Sequence, residues 1–385
     1  MTDMSPLPET LRTTSYKARI DRVRAAMRRD GHTLLIAYGT GQHSFVGMNP
    51  AWYLSGFRQM GPHVAVAVPL DDEPFLLMTP AWDIDRARAR STVTDIEAAD
   101  PAAFFPALAD SLHRRRLDLN HVAVAGGRMP RAIAEGWADA LGAAPSSGEA
   151  LISDLARIRD PWSLACTRRA VAIAEKGCDW LEQNARAGAR EHQLVAALDV
   201  YMRGLGAEDN FLLMSSSQHN RSVHQPTRRL IAEGDVLLSE ITPAVEGEYI
   251  QICRSAVFGK PTALQLEKFA LLDEALRAGM RTATPGTPVS AVVEAINAPI
   301  AAAGYGEYTV PPYMRTRGHS MALGSMDPEI SMFSGHTLEE GMVFVMHPNQ
   351  YLPDTGYLMC GEPVLITPSG AEPLTSTMGV LGSYI

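Results

Sequence analysis

The segment LLSEITPAVEGEYIQICRSAVFG, residues 237–259, constrains the fold more than any other part of the sequence. An apolar run leads to a turn around Gly247, and a second run follows in which polar and apolar residues alternate. This pattern predicts an antiparallel β-hairpin. The two strands carry Glu240 and Gln251, eleven residues apart, and acidic groups at the ends of paired strands often hold metal ions. The sequence therefore raises the question whether this hairpin kept or lost a metal site.

The chain of 385 residues is long enough for two domains. Its 46% apolar and 20% charged residues are typical of a globular protein, and its net charge of −9 argues against nucleic acid or an anionic membrane as a partner. The polar N-terminus lacks the apolar core of a secretory signal, so we expect a cytoplasmic protein. Four scattered cysteines without CxxC spacing predict neither a zinc ribbon nor a redox pair.

The order of apolar runs predicts two domains of different class. In residues 1–155, short β-branched runs such as TLLIAYG and HVAVAVPL alternate with helical patterns, which indicates an α/β domain. Turn-forming residues before position 155 mark the boundary. Residues 156–385 begin with two amphipathic helices and continue with hairpins and further helices, which indicates an α+β domain.

Six landmarks between Arg157 and Thr375 occur in the order and spacing of one known superfamily. They are GAREHQLVAALDVYMRGLGAE, HNRSVHQPTRRLIAEGDVLLSE, GEYIQICRSAVFG, GHSMALGSMDPE, LEEGMVFVMHPNQY and GEPVLITPSGAEPLT. The chain thereby resembles the methionine aminopeptidase, prolidase and creatinase superfamily, whose catalytic domain has the pita-bread fold. The stretch NPAWYLSGF resembles the prolidase and creatinase branch, which implies a creatinase-type N-terminal domain over residues 1–155 and a pita-bread catalytic domain over residues 156–385.

In metal-dependent members of this superfamily, two aspartates, one histidine and two glutamates bind two ions. By resemblance, the matching positions are Glu240, Gln251, His319, His347 and Gly361, with Glu362 one residue after the last. Only His319 matches outright, and the amide of Gln251 cannot supply the charge of a bridging anion. We therefore expect a metal-free cavity without a cofactor. A one-ion site of His319, His347 and either Glu240 or Glu362 is the alternative.

The predicted activity follows the metal-free branch, which includes creatinase and ectoine hydrolase. The resemblance implies a metal-independent hydrolase of a non-peptide C–N bond in a small zwitterionic or cyclic substrate. This reaction needs a base or nucleophile and an acid that protonates the leaving nitrogen. His224 falls where creatinase-like enzymes place their catalytic histidine. The other predicted catalytic residues are Glu240, His319, His347 and Glu362.

Four further residues are predicted to bind the substrate. The amide of Gln251 would form hydrogen bonds, and Arg315 or Arg317, on either side of Thr316 at the start of the Gly-His loop, would bind a substrate carboxylate. Tyr313 would line an aromatic wall against a cationic group.

Three other functions stay open at the level of the sequence. The first is a metal-dependent Xaa-Pro peptidase-like or lyase enzyme with a reduced one-ion site. The second is another metal-free reaction, such as decarboxylation or ring opening in a biosynthetic pathway. The third is a non-catalytic binding protein, although several titratable residues at motif positions argue against it.

The resemblance also implies a homodimer in which the N-terminal domain of one subunit closes over the site of the other.

Overall fold

The computed structural model describes residues 6–41, 47, 49–127, 129–314 and 316–384. These residues form two compact units, one of residues 6–162 with 323–325 and one of residues 163–322 with 326–384. The first unit extends to residue 162, seven residues past the predicted division at residue 155, and Ala156 is buried in its hydrophobic core. Among the helices of the described residues, none combines the length and apolarity that crossing a membrane requires.

The first unit is an α/β unit built on one six-stranded sheet. Its strands are β1 (Leu34–Gly39), β2 (Val64–Pro69), β3 (Phe75–Met78), β4 (Asp95–Ala98), β5 (Val122–Ala125) and β6 (Ser146–Ser147). Its helices are α1 (Glu9–Asp30), α2 (Pro50–Ser55), α3 (Ile84–Arg90), α4 (Phe104–Arg114), α5 (Arg131–Leu141) and α6 (Glu149–Arg157). Single helical turns lie at Ala81–Asp83 and Pro101–Ala103. The strand order is β4-β3-β2-β1-β5-β6, and β1 pairs antiparallel with β2 and parallel with β5.

Both faces of this sheet are covered, which explains why its strands are continuous apolar runs. Every residue of β1 is buried. Leu35 and Ala37 belong to one hydrophobic cluster, and Leu34, Ile36 and Tyr38 belong to the other. Successive side chains of a strand point to opposite faces, so the alternation assigns one cluster to each side of the sheet.

A buried cation fixes α1 within the first unit. The Nε atom of Arg19 donates a hydrogen bond of 2.6 Å to Asp160. The guanidinium group of Arg19 also lies 4.2 Å from the ring centre of Tyr16 and 4.3 Å from that of Tyr53. These contacts compensate the charge that α1 brings into the interior.

The second unit combines antiparallel sheets with helices, as the α+β prediction requires. Its helices are α7 (Pro161–Asn184), α8 (Glu191–Gly204), α9 (Ala263–Thr282) and α10 (Val289–Ile300), with single turns at Ala301–Tyr305, Gly306–Thr309 and Ala322–Gly324. Its strands are β7 (Asp209–Ser217), β8 (Val236–Val245), β9 (Glu248–Tyr249), β10 (Ile252–Phe258), β11 (Gly318–Ser320), β12 (Val343–Met346), β13 (Gln350–Leu352), β14 (Gly356–Leu358), β15 (Glu362–Thr367), β16 (Gly370–Pro373) and β17 (Gly382–Tyr384).

Two sheets of this unit meet at its centre. One has the order β17-β10-β8-β7 and the other β11-β12-β15-β16. The predicted hairpin consists of β8, β9 and β10, and its turn at Glu246 and Gly247 has φ values of 51° and 82°. A two-residue turn with both φ values positive matches the twist of antiparallel strands, and glycine adopts this conformation without strain.

Candidate functional site

The candidate site follows one row of residues across both central sheets. The register of β8 with β10 places Glu240 opposite Cys253. Cys253 and Gly361 exchange two main-chain hydrogen bonds, of 3.1 and 3.2 Å. The register of β12 with β15, continued by one step, places His347 opposite Gly361. Opposite residues of antiparallel strands share a face, so this row brings Glu240, Cys253 and His347 to one surface.

Gly361 leaves no space for a side chain in this row. A Cβ atom at this position would lie 2.7 Å from the Cβ of His347 and 2.9 Å from the Cβ of Cys253. Real Cβ atoms do not approach so closely, and both neighbours are fixed by their own main chains. The position that matches the last metal-binding glutamate of the superfamily therefore cannot hold a carboxylate in this chain.

Glu362 does not join His347 in the site. Its carboxylate binds Arg254 at 2.9 Å and accepts hydrogen bonds from the Thr375 hydroxyl and the Gly379 amide, both at 2.8 Å. The register from β15 to His347 is unbroken, so no bulge turns Glu362 toward the face that carries His347. The structure gives Glu362 the partners of a buried ion pair, whereas the sequence had suggested a catalytic role.

Two histidine rings face each other at the end of the row. The centroids of His319 and His347 lie 5.5 Å apart, with an interplanar angle of 68°. Burial lowers the pKa of His319 to about 4 and that of His347 to about 3, so both imidazoles are neutral at neutral pH. The main chains of β11 and β12 approach each other closely next to His319. A side chain at Gly318, the residue before His319, would collide with the carbonyl oxygen of Val345.

The tautomer of His319 is set by its neighbour. Its Nδ1 atom lies 3.0 Å from the carbonyl oxygen of Ser320, so Nδ1 carries the proton and donates it. The Nε2 atom then presents a lone pair, which is the form that a metal ion or a proton requires. The Nδ1 atom of His347 is buried and has no hydrogen-bond partner.

Glu240 supplies the acidic group of the site. Burial raises its pKa to about 7, so the carboxyl group exchanges its proton near neutral pH. The Tyr357 hydroxyl lies within electrostatic range of both Glu240 and Arg317, and burial raises its pKa. Tyr357 was missed in the sequence, because nothing in its local pattern separates it from other tyrosines near a hairpin.

Gln251 and Thr242 add two neutral oxygen atoms. The Oε1 atom of Gln251 and the Oγ1 atom of Thr242 are buried without hydrogen-bond partners. The Nε2 atom of Gln251 donates to the Sγ atom of Cys253 at 3.4 Å. Thr242 was also missed, although its position two residues after Glu240 on one strand gives both side chains the same face.

Arg317 is buried beside the histidine pair. It is 1% exposed, and its guanidinium group donates only to neutral acceptors: the side chains of Asn297 and Gln350 and the carbonyl of Asn349, at 2.7 to 3.2 Å. Burial lowers its pKa to about 10. Within the described part of the chain, no carboxylate pairs with Arg317, and its charge is compensated by these neutral acceptors alone.

The remaining predicted residues are exposed or lie outside the described residues. His224 is exposed, and its Nδ1 atom bonds the carbonyl of the next residue, Gln225, at 2.7 Å. Tyr313 is 46% exposed and stacks on Tyr351 with a centroid distance of 6.1 Å. Arg315 lies outside the described residues. No contact of the described atoms joins His224 or Tyr313 to Glu240.

These residues do not form the two-ion set of the superfamily. Two of its carboxylates are replaced by Gln251 and Gly361, and one by His347. Over the ranges that the structure describes, no three His, Cys, Asp or Glu side chains are grouped as metal donors. The neutral imidazoles of His319 and His347 are the two nitrogen donors that remain, and they suffice for at most one ion completed by other ligands.

Comparison with known proteins identifies the family. The model of metallopeptidase family M24 matches residues 165–368, more than half of the chain. The chain belongs to this family. Its fold is the pita-bread fold, as the sequence predicted.

Similar proteins are Xaa-Pro dipeptidases and prolidases. The chain is 27% identical over 231 residues to the Xaa-Pro dipeptidase of Pyrococcus furiosus. The aligned part is 59% of this chain and 65% of that relative. The structure of the prolidase from Pyrococcus horikoshii has a TM-score of 0.79 at 20% identity and covers 94% of this chain and 98% of its own. The Xaa-Pro dipeptidase from Bacillus anthracis has a TM-score of 0.80 at 20% identity, with coverages of 96% and 99%.

These relatives correct the predicted activity. A metal-independent hydrolase of non-peptide C–N bonds was expected from the missing carboxylates. That prediction is wrong, because the family is one of metallopeptidases and the named relatives are dipeptidases. The substitutions at Glu240, Gln251 and His347 were read as a change of reaction class, although residue types alone do not determine which bond is cleaved.

Proposed function

We propose that this chain hydrolyses short peptides of the Xaa-Pro dipeptide class at the site of Glu240, His319 and His347, with at most one metal ion. Membership of the metallopeptidase family and the similarity to Xaa-Pro dipeptidases support the reaction class. The observation that carries the proposal is the pair of facing imidazoles of His319 and His347 at the end of the row of strand residues that begins with Glu240. The finer resemblance to creatinase and ectoine hydrolase rested on the missing ligands and on the position of His224, which is exposed and bonds the carbonyl of Gln225. We therefore place the chain with the dipeptidases, which it resembles in sequence.

The residues of the site suit the cleavage of a peptide bond. Glu240 exchanges its proton near neutral pH, so it accepts a proton from the attacking water and returns it to the leaving nitrogen. The buried charge of Arg317 attracts the carboxylate of a dipeptide. A bound divalent ion would polarise the scissile carbonyl, and His319 and His347 are the side chains that would hold it.

The test is hydrolysis of alanylproline by the purified protein and three histidine variants. We expect His319→Gln and His347→Gln to lower kcat/KM by about a hundredfold or more. The control is His113→Gln, which changes an exposed histidine of α4 and leaves kcat/KM unchanged. Cleavage that survives both site substitutions, or a panel of Xaa-Pro dipeptides of which none is cleaved, would contradict the proposal.

Two attributes of this function remain predictions. A small-molecule substrate agrees with the dipeptidase relatives. The homodimer, in which the N-terminal domain of each subunit closes over the site of the other, is inferred from the resemblance alone. Light scattering of the purified protein measures the oligomeric state, with a mass near twice 41.7 kDa expected. Fractionation of the producing cells measures the predicted cytoplasmic location.

A further inference from the structure

A cavity of about 250 Å³ in the second unit is lined by α7, β10 and residues 376–384. The helix contributes Glu175, Asp179 and Glu182, which follow one another at intervals of four and three residues. Side chains with this spacing share one face of a helix. One wall of the cavity therefore carries three carboxyl groups in line, which we call the acidic row.

The protein leaves most of the acidic row without a partner. The Oε1 atom of Glu175 accepts hydrogen bonds from the amide and the hydroxyl of Ser376, at 2.5 and 2.7 Å. Asp179 and Glu182 form no ion pair or hydrogen bond with the described residues. Arg254, which also lines the cavity, is paired with Glu362 at 2.9 Å. The cavity thus has an excess of negative charge.

A second feature of the cavity is the hydroxyl group of Tyr384. This residue lines the cavity and is only 8% exposed, and its hydroxyl has no hydrogen-bond partner among the residues that the structure describes. Its ring packs edge-on against Phe258 at a centroid distance of 5.6 Å. Burial raises the pKa of Tyr384, and the nearby Cys178 and Glu182 raise it further. Because both of these neighbours line the cavity, the hydroxyl points into it.

We propose that this cavity binds a linear polyamine, whose ammonium groups contact the acidic row and the hydroxyl oxygen of Tyr384. An ammonium group has only N–H donors, and carboxylate and hydroxyl oxygens accept from it. A buried hydroxyl without a partner costs free energy, and such a donor removes this cost.

The polyamine site goes beyond the proposed function. Arg254 follows Cys253 on β10, and successive side chains of a strand point to opposite faces. The side chain of Arg254 at the cavity therefore points away from the strand face on which Cys253 joins the row of the candidate site.

The spread of the acidic row favours a polyamine over a divalent ion. Glu175 and Glu182 are seven residues apart, which is about 10 Å along a helix axis. The oxygen ligands of one magnesium or calcium ion converge to within about 2.6 Å of it. Across the described ranges, no three His, Cys, Asp or Glu side chains are grouped in this way. A polyamine carries separated charges, and its methylene groups find apolar contacts at Met378 and Val380.

Calorimetry of the full-length protein with spermidine tests the proposal, in about 0.15 M sodium chloride to screen weak attraction between exposed charges. We expect one spermidine to bind per chain. The double substitution of Asp179→Asn and Glu182→Gln is expected to weaken binding at least about tenfold, and Tyr384→Phe at least about threefold. Asp179 and Glu182 are exposed, so their substitution leaves the fold intact.

The matched control is Glu294→Gln, which removes an exposed carboxylate of α10 that has no ion pair within the described residues. This control leaves the dissociation constant of spermidine unchanged, whereas Glu182→Gln alone raises it at least about threefold. Equal effects of these two substitutions would show a general attraction of a polycation to an acidic protein, and they would overturn the site.

The other outcomes are equally distinct. Absence of spermidine binding, or equal affinity of the parent and the double variant, overturns the proposal. Magnesium that displaces spermidine from the parent and binds the double variant more weakly overturns it in favour of a divalent-cation site. Unchanged binding by Tyr384→Phe overturns the role of the hydroxyl. None of these results depends on peptide cleavage, so the polyamine site and the proposed hydrolase fail or stand separately.

Discussion

Gly361 lies directly opposite His347, and a Cβ atom on this glycine would come within 2.7 Å of the histidine Cβ. The contact joins two strands of the site, so a side chain here forces the strands apart. We expect Gly361→Ala to lower the free energy of unfolding by about 2 kcal/mol. Urea unfolding followed by far-UV circular dichroism measures the change.

The matched control for this prediction is Gly204→Ala. Gly204 ends α8, and nothing lies within 4 Å of a Cβ atom built there. Alanine favours the helix over glycine by roughly 1 kcal/mol, so this variant is as stable as the parent or more so. Equal stability of Gly361→Ala and the parent would show that the strands at His347 can move apart freely.

The ion pair of Arg254 and Glu362 is a structural element of the second unit. Glu362 is 0% exposed and forms four charge-assisted contacts through Arg254, Thr375 and Gly379. Glu362→Gln leaves the Arg254 charge buried and unpaired, so we expect unfolding to become easier by about 3 kcal/mol. The exposed pair of Arg131 and Glu135 provides the control, Glu135→Gln, with a loss below about 0.5 kcal/mol.

A small effect of Glu362→Gln on unfolding, together with complete loss of peptide cleavage, would contradict this structural role. It would return Glu362 to the catalytic residues that the sequence predicted. Unfolding and cleavage are therefore measured on the same preparation, because a destabilised protein also loses activity through unfolding.

The fold and the hairpin could be predicted from sequence, and the orientation of Glu362 could not. Apolar runs, a glycine turn and landmark spacing specify which strands exist and place Glu240 and His319 on them. The direction of a strand residue depends on whether a bulge precedes it, and the unbroken register at Glu362 leaves its side chain with Arg254.

The unpaired atoms of the site were also beyond the sequence. Gln251 was recognised by its motif position, but the missing partner of its Oε1 atom depends on the packing of neighbouring strands. Arg317 was predicted to bind a carboxylate, whereas its burial among neutral acceptors is known only from the structure. Sequence reports residue types, and the number of satisfied hydrogen bonds is a property of the packed state.

Glu240 makes the stability of the protein depend on pH. Its pKa rises from 4.5 to about 7 on folding, so the folded state binds more protons than the unfolded state between these values. The stabilising contribution of the protonated group is complete below pH 4.5 and is lost as the pH rises through 7. Urea unfolding at pH 5, 6, 7 and 8 measures this loss.

Glu240→Gln keeps a neutral side chain at every pH and is the matched comparison. We expect the variant to gain stability relative to the parent as the pH rises from 5 to 8. Parallel stability profiles of variant and parent over this range would show that Glu240 is ionised in the folded protein.

The central claim is a dipeptidase that works with at most one metal ion, and a titration of metal against cleavage tests it most directly. Protein freed of metal by a chelator is titrated with manganese or zinc while alanylproline cleavage and bound metal per chain are measured together. We predict that cleavage reaches its maximum at no more than one ion per chain and is abolished in His319→Gln. Cleavage that rises until two ions are bound per chain, or no cleavage at any metal content, would contradict the account.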